Sequence, residues 1–293
     1  MDDVESLLDG VWLSQVRHTL EQFMTPQQTG GRFEHFRLVL GIVLTLQARL
    51  VQRQGSLLQV ADLVRGFESV PRNMLRWLLR HAGLKGWQWL IPDIALGKEL
   101  MRVRVGRMLG SLAVLEHNSI GQGKRSGVHL FGVYTKALLA AVNSVHQGIP
   151  IDLQSPEPVK FPFQQYVDDA IATAESPVEL QAINATLSGA CDTWRCQFAE
   201  GKKKPRFMAC GPQPLPLLEG ARGALCGQIP AQVDQIKVLG ILLDSQLSFL
   251  PLFSQAVAEL QTIGGKLASG LSSHGFGLPA VASQFMTRVL PAA

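Results

Sequence analysis

The sequence predicts an α+β domain built on an antiparallel sheet with helices packed against it. Three observations lead there. Of the 293 residues 46% are hydrophobic and 17% charged, which supplies a sizeable core and is too apolar for a disordered chain. Apolar residues recur at helical spacing in some segments and in short strand-like runs in others, in the order helix, strand, helix, strand, helix, hairpin, helix, strand. Carboxylates stand at the ends of two of the strand-like runs.

Each element has its own signal. From Phe33 to Val51, Phe36, Leu40, Val43, Leu44 and Leu50 mark a helical face. Leu57 to Leu63 is a short apolar run bounded by Gly55-Ser56, which suits a buried strand ending near Asp62. After Pro71, Met74, Leu75, Leu78, Leu79 and Ala82 line one face of a helix and Arg72, Arg76 and Arg80 another, with Gly83 as the stop. Leu100 to Val105 alternates like a strand, and Leu130 to Val145 reads as an apolar helix. Pro150, Pro156, Pro158 and Pro162 make Gly148 to Pro162 a loop. Phe163 to Thr173 predicts a hairpin with Asp168-Asp169 at its turn, Val178 to Trp194 an amphipathic helix, and Ile236 to Leu243 another strand.

Several function classes drop out. The longest aliphatic run, Leu38 to Leu46, is broken by Gly41 and Thr45 and falls short of the ~20 residues of a membrane-spanning helix. The opening Met1-Asp2-Asp3-Val4-Glu5 is acidic where a secretory or transit peptide is basic, so an intracellular setting, the nucleus included, is expected. Cys191, Cys196, Cys210 and Cys226 match neither a paired C-x-x-C zinc pattern nor a compact disulfide framework, and structural or neutral thiols in a reducing compartment are expected.

Net charge is only +4, but it is unevenly spread. Residues 1–47 hold six acids and three bases, whereas residues 48–107 hold eleven bases, among them Arg102, Arg104 and Arg107, against four acids. A second basic cluster is Lys202-Lys203-Lys204 with Arg206. Both zones suit a polyanionic partner. Acidic pairs in turns are common for local reasons, so Asp168-Asp169 alone means little. Asp62, at the end of another strand, changes the reading. Two strand-end carboxylates brought together by an antiparallel sheet make the all-oxygen site that holds divalent cations for in-line phosphoryl transfer.

On these residues the chain resembles the reverse transcriptases of non-LTR (LINE-like) retroelements, from about Gln27 to Leu250. Asp62-Leu63-Val64-Arg65-Gly66-Phe67-Glu68-Ser69-Val70-Pro71 is similar to the family's D-x-x-x-A-F-D-S-V-P. Arg72 to Gly86, with Trp77 and Trp87, resembles the helix and turn that come next. Gln122-Gly123, with Leu130-Phe131, resembles Q-G-x-x-L-S-P-x-L-F, although Ser126-Gly127-Val128 stands where Leu-Ser-Pro is expected. Tyr166-Val167-Asp168-Asp169 matches the F/Y-x-D-D box, 106 positions (168 − 62) beyond Asp62. Glu175 to Leu180 resembles the start of the following helix, and Trp194 to Lys203 the W-x-x-x-x-N-x-x-K-T segment, with Ala199 for Asn and Lys203 for Thr. Lys237-Val238-Leu239-Gly240, with Leu243-Asp244, resembles K-Y-L-G-x-x-x-D.

The resemblance implies a reverse-transcriptase-like palm with packed helices, partial fingers and a partial thumb: residues 1–56 as finger helices, 57–235 as the palm with an inserted loop at 148–162, and 236–293 as the end of the palm and part of a thumb. It implies an RNA-directed DNA polymerase that adds dNTPs to a DNA primer on an RNA template with Mg²⁺ or Mn²⁺. Asp62 and Asp168 would hold the metals and Asp169 would support them. Phe67 would exclude a ribose 2′-OH, Gln122 and Gly123 would sit by the incoming nucleotide, and Lys202 would neutralise pyrophosphate. Arg72, Arg76 and Arg80 would meet phosphates and Leu239-Gly240 would grip the primer end. The family's basic finger strands are missing ahead of Gln27 and little follows Leu250, so a truncated or degenerate copy is expected. A non-catalytic nucleic-acid-binding remnant is the alternative. An RNA-templated RNA polymerase is a third reading, against which Phe67 argues.

Overall fold

The central strand of the molecule, β1 (Ser56–Asp62), is almost wholly buried, with Leu57 and Ala61 apolar on one face, Leu58 and Val60 on the other, and Gln59 buried with its amide paired. The computed structural model describes residues 3–25, 27–28, 30, 35–97, 99–105, 108–116, 119–120, 125–151, 159–160, 162–201, 205–211, 223–248, 250, 254–255, 257–258 and 261–262. Before β1 come helices α1 (Asp3–Phe23) and α2 (His35–Val51); after it come α3 (Gly66–Ser69), α4 (Arg72–His81) and α5 (Trp87–Gly97). The hairpin β2 (Glu99–Val105) and β3 (Met108–Glu116) leads to α6 (Gly127–Asn143). Then follow β4 (Pro150–Ile151), β5 (Val159–Lys160), β6 (Phe163–Tyr166), β7 (Asp169–Ala174) and α7 (Pro177–Trp194). The strands β8 (Arg206–Cys210), β9 (Ala231–Gln232), β10 (Gln235–Val238) and β11 (Ile241–Asp244) come last.

One five-stranded sheet, ordered β6-β7-β1-β8-β9, carries the fold. Its pairs are antiparallel except β8 with β9, which run parallel at one edge. Side chains alternate across it, so each strand feeds two cores. Leu57, Ala61, Ala170, Ala172, Phe163 and Phe207 face a core built with α1, α4, α6 and α7. Leu58, Ile171, Met208 and Cys210 face a second core closed by Ile42, Val43 and Leu46 of α2 and by the β10–β11 hairpin. A reciprocal amide pair ties the sheet to α7: Gln59 Nε2 donates to Asn184 Oδ1 at 2.7 Å and Asn184 Nδ2 to Gln59 Oε1 at 3.1 Å.

The mixed α+β reading stands, and three expectations change. Asp3–Phe23 forms a helix that the reading of periodicity passed over, although Trp12, Val16, Leu20 and Met24 recur every fourth residue and are all buried. The start of α6 is held by it, since the Asp9 carboxylate accepts from the backbone N–H and hydroxyl of Ser126. Within the proline-rich segment, β4 and β5 pair through Pro150 with Lys160 and Ile151 with Val159, where only loop was expected. Ile236 to Leu243 is two strands, because Leu239 (φ 47°) and Gly240 (φ 91°) turn the chain back in the left-handed geometry of a tight hairpin.

Candidate functional site

Register assembles the site. The β1–β7 ladder ends with Asp62 directly opposite Asp169, and the β6–β7 ladder ends with Tyr166 opposite the same Asp169. Tyr166, Asp169 and Asp62 therefore form a row across three strands. By alternation the row lies on the face of Leu58 and Ile171, away from α6 and α7. Facing Cβ atoms on paired strands stand about 4.5–5.5 Å apart, so the two carboxylates are neighbours. Deeper along the same face α2 covers the sheet, but at this end Asp62, Tyr166 and Asp169 are only partly buried and Asp168 is exposed.

The backbone around the row is pinned from three sides. Leu63 N–H donates to Asp168 O at 3.0 Å, Val64 N–H to Gln197 O at 2.7 Å, and Ala199 N–H to Asp62 O at 2.7 Å. Residues 197–199 thus extend the sheet past the end of β1. Asp168 sits in the two-residue turn with Val167, whose φ of 55° is rare for a β-branched side chain and costs about 1–2 kcal/mol. Gly30 lets the chain pass this turn, since a Cβ there would lie 2.8 Å from Val167 N. Gly66 does the same on the other side: its Cβ would meet Phe131 Cζ at 3.0 Å and Asp168 Cβ at 3.5 Å.

Among the expected site residues, Asp62, Asp168 and Asp169 come together. Phe67 lies close by in α3, half-buried, with its ring stacked on Phe131 at 5.1 Å between centroids. Leu239 and Gly240 occupy the β10–β11 turn. Gln122, Gly123, Lys202 and Arg107 lie outside the described residues, as do the side chains of Arg102 and Arg104.

The arginine row of α4 needs correction. Arg72 is 2% exposed and its Nε donates to Ser119 O at 2.8 Å, which takes it off any surface that could meet phosphate. The guanidinium of Arg76 pairs with Asp93 of α5, and that of Arg80 lies 4.1 Å over the Trp89 ring. Four-residue spacing put the three on one stripe, but the neighbouring helix occupies part of that stripe. Tyr166 went unassigned beyond its place in the box; strand pairing is the signal that adds it to the carboxylate row.

Comparison with known proteins gives distant likenesses among solved structures only. No protein-family model matches the chain, and no curated protein matches it. A solved structure of telomerase from Candida albicans, in complex with a fragment of telomeric RNA, is similar to it with a TM-score of 0.45 and 10% sequence identity. The likeness covers 82% of this chain and 36% of the telomerase chain. No helix among the described residues is long and apolar enough to cross a membrane.

For metal binding, the donors at the row are carboxylate oxygens, the set preferred by hard dications. Among the described residues no group of three or more His, Cys, Asp or Glu converges as a metal cage. Mg²⁺ does not require one, because it is commonly held by one or two carboxylates with water and substrate phosphates filling the other positions.

Proposed function

We propose that this chain carries a reverse-transcriptase-like palm and catalyses RNA-directed DNA synthesis, transferring nucleotides from dNTPs to a primer 3′-OH. One observation carries the reading: Asp62 and Asp169, far apart in sequence, are the terminal facing pair of adjacent central strands, with Asp168 next to them at the open end of the sheet. Asp62 and Asp169, with Asp168 within reach, would hold Mg²⁺ or Mn²⁺. The metal, when bound, supplies charge neutralisation at the phosphates and activation of the 3′-hydroxyl. The protein's own part is positional. The ladder fixes the two carboxylates, the pinned 197–199 segment keeps the strand end from fraying, and the left-handed Val167 turn sets Asp168 at the mouth.

The site faces away from the main helical layer, the side on which a primer–template would lie in this reading. Gln122, Gly123 and Lys202 keep the nucleotide roles implied by the resemblance, and Phe67 that of the sugar filter. Arg80 and the Leu239-Gly240 turn remain as contacts to the primer–template, whereas Arg76 is engaged by Asp93.

Primer extension decides the matter. Purified protein given an RNA template, a DNA primer and dNTPs with Mg²⁺ or Mn²⁺ is expected to extend the primer, and Asp168→Ala is expected to abolish extension. Extension by the wild type no greater than by Asp168→Ala, in either metal, overturns the catalytic reading. If salt-sensitive binding to the primer–template persisted in that case, the protein would be a non-catalytic binder.

A further inference from the structure

Beside the carboxylate row, but on the helical side of the sheet, lies a cleft of about 820 Å³ whose wall includes Ser188, Cys191, Cys196, Phe198 and Cys226. The proposed polymerase chemistry has no use for these thiols. Their spacing predicts structural or neutral thiols, and all four cysteines are free.

Cys226 is half-buried at the tip of a tight turn in which Leu225 N–H donates to Gln228 O at 2.8 Å and Gln228 N–H to Leu225 O at 3.0 Å. Its φ is +49° and that of Gly227 is +79°. Asn, Asp and Gly are the residues that usually occupy such a turn, so a cysteine there costs conformational energy. The turn is clamped to α7: Cys226 N–H donates to Ser188 Oγ at 2.8 Å, Ser188 Oγ donates to Asn184 O at 2.8 Å, and Asn184 Nδ2 donates to Gly223 O at 3.1 Å. This clamp holds Cys226 against α7 within one turn of Cys191, and both cysteines line the cleft.

We propose that Cys226 and Cys191 form a dithiol redox site that opens on this cleft and reacts with low-molecular-weight disulfides of tripeptide size, Cys226 attacking and Cys191 resolving. The cleft volume falls in the range of small-molecule sites. Hydrogen bonding from Cys191 holds the Cys226 thiol below the ordinary cysteine range, and the same bond, with burial, holds Cys191 above it. Cys226 is half-buried and Cys191 fully buried, so Cys226 is the thiol that an external disulfide meets first. Burial pushes Cys196 up to about 11 and Cys210 up to about 12, which leaves both as unreactive bystanders.

The exchange balances without any further reagent. The Cys226 thiolate attacks one sulfur of the external disulfide, whose S–S bond breaks; half stays on Cys226 as a mixed disulfide and half leaves as a thiolate. Cys191 then gives up its proton and attacks the Cys226 sulfur, forming the Cys191–Cys226 bond and expelling the second thiolate. The protein dithiol loses two electrons and two protons, and the external disulfide gains both as two thiols.

Mass spectrometry of the full chain tests the proposal without reference to polymerase activity. In the reduced protein at neutral pH, iodoacetamide is expected to label Cys226 about tenfold or more faster than Cys191, Cys196 or Cys210. With oxidised glutathione the wild type is expected to lose two hydrogens and yield a Cys191–Cys226 linked peptide. Cys191→Ser is expected to stop at one glutathione on Cys226, and Cys226→Ser to take up none. Uniform labelling of the four cysteines overturns the proposal, as does a wild type that retains glutathione on Cys226 without closing the disulfide.

Discussion

Asp62 and Asp169 face each other as the last pair of the β1–β7 ladder, and Tyr166 stands opposite Asp169 on the outer strand. Two like charges side by side at a strand end work against the pairing. A divalent cation held there, as proposed above, would offset that repulsion. Asp62→Asn and Asp169→Asn are each expected to lower primer extension by about a hundredfold or more. Thermal unfolding recorded beside each assay separates lost chemistry from a lost fold.

Gly66 supports that row from behind. A methyl group there would press on Phe131 at 3.0 and 3.3 Å and on Asp168 at 3.5 Å, and Phe131 cannot retreat without disturbing its stack with Phe67. Gly66→Ala is expected to destabilise the protein by about 1–3 kcal/mol, read as a lower urea midpoint with unchanged slope.

The α4 arginines separate by environment. Arg72→Ala removes a buried guanidinium bound to Ser119 O and is expected to cost about 2–4 kcal/mol of stability. Arg80, exposed with its guanidinium over Trp89, is the member able to reach a phosphate. Arg80→Ala is expected to cost about 1 kcal/mol or less in stability and to reduce the log–log salt slope of primer–template binding by about one. An unchanged slope removes Arg80 from the interface.

Gln164 of β6 is fully buried, and among the described residues neither its Nε2 nor its Oε1 finds a hydrogen-bond partner. Its strand position, paired with Ile171, puts it on the face of the second core. Gln164→Leu is expected to stabilise the fold by about 1–2 kcal/mol in denaturant titrations, because an apolar side chain of similar size carries no desolvation cost.

Local periodicity made most of this fold legible. The α2, α4, α6 and α7 helices and the β1 and β2 strands follow from apolar spacing, and Gly83, at φ 100°, ends α4 where a stop was expected. Short strands were harder to see. β8 carries only five residues and sits beside the lysine cluster, so neither length nor alternation marks it. The turn at Leu239-Gly240 was hidden because leucine seldom takes a left-handed conformation and therefore sends no turn signal.

By itself the sequence determined most of the longer helical and strand segments and the presence of carboxylates at two strand ends, since those depend on neighbours a few residues apart. Tertiary structure alone decided that Asp169 is the residue that faces Asp62, that Arg72 points inward, and that Cys226 shares a cleft wall with Cys191. The reason lies in register. A one-residue slip between β1 and β7 would turn every side chain of one strand to the opposite face, and what opposes the slip is Gln59, whose buried amide must stay on the α7 side to pair with Asn184.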